Sequence, residues 1–130
     1  MSRNPLEHRD RPCRRCPWRT DADPAAFTDR DMDKLSAANG TPDNPAGLNA
    51  PTMSCHLDQP GTAHPMRLCA GWLAVVGPHH WAIRLKVAAG RLPARTLAAA
   101  PGWPALHKHL GELLSARARA TRQQAETPAG

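Results

Sequence analysis

The stretch Pro12-Cys13-Arg14-Arg15-Cys16-Pro17-Trp18-Arg19, PCRRCPWR, puts two thiols three positions apart among arginines and closes on a proline and a tryptophan. Three uses compete for such a pair: a metal site, a redox couple, or buried cysteines with no chemistry. A CxxC turn lets two thiolates converge on one ion or cluster, which is why it recurs in zinc and iron–sulfur sites. A thioredoxin-like couple belongs between a strand and a helix. Here the motif follows Arg9-Asp10-Arg11 in a segment with no apolar alternation. Arginines that would lower a thiol pKa serve equally well to offset thiolates held by a metal.

Two lone thiols, Cys55 and Cys69, follow after gaps of 38 and 13 residues. Three of the four cysteines fall in expected loop, and Pro-rich loop cannot fix distant thiols by packing alone. With no tyrosine, one phenylalanine and 14 prolines, the core is expected to be thin and to need a staple. A structural zinc contributes about 10–16 kcal/mol, more than many small domains possess in total. The expected ligands are therefore Cys13, Cys16, Cys55 and Cys69. Tetrahedral zinc usually takes two short-range ligand pairs, whereas an iron–sulfur cube accepts isolated cysteines, and a proline after a ligating cysteine occurs in ferredoxin-type motifs. This favours a 4Fe–4S cluster over Zn2+, with both left open. Trp18 is expected to lid the centre and Trp72 to shield it from one side. His56, beside Cys55, fits a hydrogen-bond donor to it better than a ligand. His64 reads as a loop or cap residue.

PCRRCPWR, Met53-Ser54-Cys55-His56 and Cys69-Ala70-Gly71-Trp72-Leu73 together resemble a family of short actinobacterial and actinophage proteins. Its members share a CxxCPWR opening, a central CH and a later C-x-G-(aromatic)-L followed by a basic helix. The resemblance spans about residues 12 to 92 and implies that the four cysteines act as one unit. It implies no reaction.

Local chemistry predicts few regular elements. Thr28 and Asp31 form a capping box, with Phe27 placed to pack on Met32, so a helix starts here and stops at Asn39-Gly40. Residues 41 to 54 are turn chemistry throughout. Pro65 is read as opening a helix that ends at Gly77. Pro78 is read as opening another, from His79 to Ala89 before Gly90, and Pro104 a last one to about Gln123 with Leu106, Leu110, Leu113 and Leu114 on one stripe. No strand is predicted. The expected fold is mainly α, small and loop-rich: three to four helices with two cysteine-bearing loops organised by a metal centre. Residues 1–100 read as the four-cysteine domain, 101–123 as an amphipathic basic helix packed on it, and 124–130 as a disordered tail.

The net charge of +6 is unevenly placed. Residues 1–83 balance nine Lys/Arg with nine Asp/Glu, while 84–130 carry eight against two. A basic third on a neutral cysteine-bearing part suggests an acidic partner such as nucleic acid or a protein bound to it. In the expected third helix, His80, Arg84 and Arg91 share one face, and Trp81, Leu85, Ala88 and Leu92 the opposite, apolar one. Phosphate contacts would come from Arg84, Lys86, Arg91 and Arg95, extended by Arg117, Arg119 and Arg122. A solvated polar face explains the same pattern.

No nucleophile elbow, phosphate loop or helical His-Glu motif occurs. Asp29, Asp31 and Asp33 suit a helix start. The opening MSRNPLEHRDRP is charged from its third residue and has no apolar core, so neither a secretory signal nor a membrane span is expected, and a cytoplasmic protein is. The expectation is a non-enzymatic metal-centre protein, regulatory or phage-accessory, contacting nucleic acid through a basic helical face. A zinc-stabilised interaction adaptor and an iron–sulfur redox sensor or electron carrier are the alternatives. No small-molecule substrate is evident.

Overall fold

Thr28 starts the first helix, as its neighbours dictate. A computed structural model of the chain describes residues 6–54 and 67–126. In it α1, Asp29–Asn39, carries both halves of the capping box: the Asp31 N–H donates to Thr28 Oγ1 at 3.1 Å and the Thr28 N–H to Asp31 Oδ2 at 2.9 Å. Phe27 and Met32 are buried beside the box, and Met32, Leu35, Ala38 and Asn39 form the inner face. Gly40 ends the helix at φ 60°, where a Cβ would run into the Pro45–Ala46 backbone.

The second helix is shorter than the apolar period predicts. α2 is Ala70–Val75, with Cys69 as its cap. Cys69 is extended rather than helical, and Leu68 before it bridges both His8 and Ser54. The Leu68 N–H donates to Glu7 O, its carbonyl accepts from the Arg9 N–H, and the Cys69 N–H donates to Met53 O, each at 3.0 Å. Two distant segments thus claim Leu68 and Cys69, which the predicted helix would have included. The predicted start at Pro65 lies outside the described residues.

A single 3-10 turn, Gly77–His79, leads into α3, Trp81–Ala88, and Gly90 at φ 78° follows its end. The buried face of α3 is not the one its pattern suggested. His80 and Ile83 are fully buried and Ala82 nearly so, while Trp81 and Leu85 are about half exposed and Ala88 faces solvent. The basic stripe predicted through His80 therefore does not form. His80 caps the helix instead, its Nδ1 accepting from the Ile83 N–H at 3.3 Å.

α4, Leu110–Glu126, starts later than Pro104 and ends later than Gln123. Before it, the chain pairs with the CxxC segment: the Thr20 N–H donates to Ala105 O at 2.9 Å and the His107 N–H to Trp18 O at 2.8 Å. Of the leucine stripe, Leu113 is buried, Leu106 and Leu110 pack partly on the core, and Leu114 stays substantially exposed. Arg117 fastens α4 to the start of α1, donating to Phe27 O at 3.1 Å and to Asp29 Oδ1 at 2.7 Å.

Among the described residues there are four α-helices and no strand, only isolated bridges, so the fold is mainly α. Its centre is two tryptophans with no exposed surface, Trp18 and Trp72, packed with Leu35, Leu73, Val76, Ile83 and Leu113. The Trp72 indole N–H donates to Asn39 Oδ1 at 2.9 Å, tying α2 to the end of α1 inside the core. Truncating Asn39 leaves that donor buried without a partner, which costs about 1–3 kcal/mol. Urea unfolding of Asn39→Ala is expected to give a loss of this size. A midpoint equal to that of the parent would show that the bond contributes nothing.

Candidate metal centre

Two successive turns shape PCRRCPWR. The Cys16 N–H donates to Cys13 O at 3.0 Å and the Arg19 N–H to Cys16 O at 3.2 Å. The first turn puts Arg14 and Arg15 at its corner in solvent and turns Cys13 and Cys16 inward, 5% and 0% exposed. Arg19 is the arginine that reaches back to the pair. Its Nη1 donates to Cys13 O at 3.4 Å, while Nε and Nη2 grip the Asp21 carboxylate, both at 2.7 Å. That carboxylate raises the Arg19 pKa, with smaller contributions in the same direction from Cys16 and Cys13, and Arg19 in turn lowers Asp21.

Cys69 comes to the same place from the other side. The bridges at Leu68 hold its backbone, and its sulfur accepts from the Trp72 N–H at 3.5 Å as the cap of α2. The Cys16 and Cys69 sulfurs lie 3.8 Å apart, far outside the disulfide bond length of about 2.05 Å. Contact with Cys16 and complete burial push the Cys69 thiol well above its ordinary pKa, so without a cation nearby it keeps its proton.

Gly71 makes this approach feasible. A Cβ there would stand 2.7 Å from Cys16 Sγ and 3.1 Å from Trp18 Cβ. Trp18, expected as a lid, is more deeply placed than a lid, and its indole N–H has no acceptor among the described residues. Trp72, expected as a shield, sits on the helix that Cys69 caps and meets the His80 ring edge-on, 5.1 Å between centroids. Burial lowers the His80 pKa, and its Nε2 has no hydrogen-bond partner among the described residues.

Of the four predicted ligands, then, the fold brings Cys16 and Cys69 into contact and buries Cys13 at the head of the same turn. Among the described residues no three Cys, His, Asp or Glu side chains gather in a metal-binding group. Cys55, His56 and His64 lie outside the described residues. Two residues on which the arrangement depends, Gly71 and Asn39, carry no chemistry in sequence. Gly71 had one available sign, its place inside the C-x-G-W-L motif, and Asn39 had none.

The predicted basic residues come from several elements and differ in exposure. Arg84 and Arg95 are exposed, Lys86 and Arg91 partly buried. Arg117 is turned onto Phe27 and Asp29, and Arg119 and Arg122 are exposed on α4, which packs on α1 and the 3-10 turn Pro24–Ala26 rather than beside α3. No helix among the described residues is long and apolar enough to cross a membrane.

Comparison with curated proteins and with solved structures gives no match. A family model does match, over residues 8–129, and so takes in the CxxC turn, all four helices and the segments that pair between them. The chain belongs to that family, a family of unknown function (DUF6283).

Proposed function

We propose that the chain is a non-enzymatic metal-centre protein in which Cys13, Cys16, Cys55 and Cys69 supply thiolates to one site. The observation that carries this reading is the 3.8 Å between the buried Cys16 and Cys69 sulfurs. Two thiolates about 2.3 Å from one tetrahedral ion stand about 3.8 Å apart. Arg19, beside Cys13 and Cys16, is placed to offset part of the negative charge that four thiolates leave on a divalent ion.

The sulfur spacing supports Cys16 and Cys69 on a shared ion, hence zinc. A 4Fe–4S cluster, in which each thiolate holds its own iron, is the second reading; it is favoured by ligands that come from three separate segments. The basic residues of the C-terminal third support a role in contacting nucleic acid, regulatory or accessory in kind. Metal analysis and a visible spectrum of protein purified without oxygen test the centre. One zinc per chain and no colour is the expected result. Visible absorption with iron and sulfide would replace zinc by a cluster, and protein free of metal would overturn the proposal.

A further inference from the structure

α3 exposes what a helix of its composition ordinarily buries. Because His80, Ala82 and Ile83 face the core, Trp81, Arg84, Leu85 and Ala88 form a stripe in solvent at the i, i+3, i+4, i+7 spacing of one helix face. Trp81 is 47% exposed and Leu85 54%. The Arg84 guanidinium lies over the Trp81 ring, 5.2 Å from its centroid, within cation–π range.

The charges on α3 itself have one sign: it carries Arg84 and Lys86 and no acid. No carboxylate side chain occurs in the sequence between Asp58 and Glu112, a stretch that includes all of α2 and α3 and carries Arg67, Arg84, Lys86, Arg91, Arg95 and Lys108. A second copy of the chain docking here through the same face would set Arg84 against its own copy with no acid on either helix to receive it. A polyanion that also offers flat apolar rings meets both features.

We propose that Trp81 and Arg84 form a stacking platform for an unpaired base, so that the partner of the basic face is single-stranded nucleic acid. This rests on the nucleic-acid part of the proposed function and narrows it. The bases of a duplex are stacked on one another and withhold their faces from a side chain on a helix surface, whereas those of a single strand are available. Trp81 supplies the ring, and Arg84 supplies a planar cation for a second base or for the adjoining phosphate.

Anisotropy titrations of the full chain, at low salt, with a labelled strand of about twelve nucleotides and with the matching duplex provide the test. The single strand is expected to bind more tightly than the duplex. Trp81→Ala should weaken strand binding about 5- to 150-fold, with Trp81→Phe retaining most of the affinity. Arg84→Gln should weaken it and lower the salt slope by about one. Unchanged Asn39–Trp72 core stability, read by urea unfolding, shows that the exposed substitutions left the fold alone. Strand binding that is indifferent to Trp81→Ala would overturn the platform and leave the nucleic-acid reading standing. Absence of binding to either form would overturn both. Self-association that Trp81→Ala abolishes, without strand binding, would reassign the stripe to a second copy.

Discussion

Cys16→Ser is expected to strip the metal and to abolish the cooperative thermal transition of the domain. Cys16 has no exposed surface, touches the Cys69 sulfur and lies under Gly71 and Trp18. If it holds an ion with Cys69, its loss forfeits most of a binding free energy of about 10–16 kcal/mol, against a total stability of about 5–15 kcal/mol for a domain of this kind. Without a metal the same substitution merely buries a hydroxyl whose partner is a thiol, at about 1–3 kcal/mol. The two magnitudes are well separated. Calorimetry with metal analysis of Cys16→Ser, Cys69→Ser and their double variant distinguishes them: on a shared ion each single change costs nearly as much as both together. Additive losses near the smaller figure, with metal content unaltered, would sink the shared site. Cys13→Ser and Cys55→Ser are expected to match Cys16→Ser, and His64→Ala to leave metal and melting unchanged. A His64→Ala loss as large as a cysteine's would mean the ligand set is wrong.

Gly71→Ala carries the second large effect, and its sign opposes helix propensity. In an ordinary helix the change adds about 0.5–1 kcal/mol of stability, since glycine loses more chain entropy on folding. Here the new methyl would press to 2.7 Å from Cys16 Sγ and 3.1 Å from Trp18 Cβ, both in residues without exposed surface. Neither can retreat, as the sulfur is backed by Cys69 and the indole by the core. Overpacking of this kind costs about 1–3 kcal/mol, and relief requires the turn that carries Cys16 to shift. Urea unfolding should therefore show a loss of about 2–3 kcal/mol, with weakened metal retention in the same variant. A gain in stability would mean that the 2.7 Å approach relaxes freely, and the packing account of Gly71 would fail.

The elements that could be read in sequence are those whose cause lies within a few residues. The Thr28–Asp31 box, the stop at Gly40 and the break around Gly77-Pro78 depend on neighbours in the chain, and each stands where its residues indicate. The elements misplaced in sequence are those that a distant segment captures. The turn expected ahead of Cys69 is drawn into pairing with residues 7–9 and 53–54, and the turn expected after Pro104 pairs with 18–20. Helical periodicity contains no record of those competitors. On α3 the pattern pointed to Trp81, Leu85 and Ala88 as the buried face, and packing buried His80 and Ile83 instead, because His80 caps the helix while filling the space beside Trp72.

For the candidate centre the division is similar. The sequence by itself determined which side chains are available: four cysteines, one chelating pair, a following proline and tryptophan, and a positive C-terminal third, all of them facts of composition and spacing. Only the tertiary structure decided that Cys16 meets Cys69, that Arg19 rather than Arg14 or Arg15 attends the turn, that Gly71 must lack a side chain, and that Arg117 is occupied with Asp29. The physical reason is range. Caps and turns are settled by bonds that close over three or four residues, whereas a contact across 53 residues is settled by which surfaces exclude water together, and that depends on the whole chain at once.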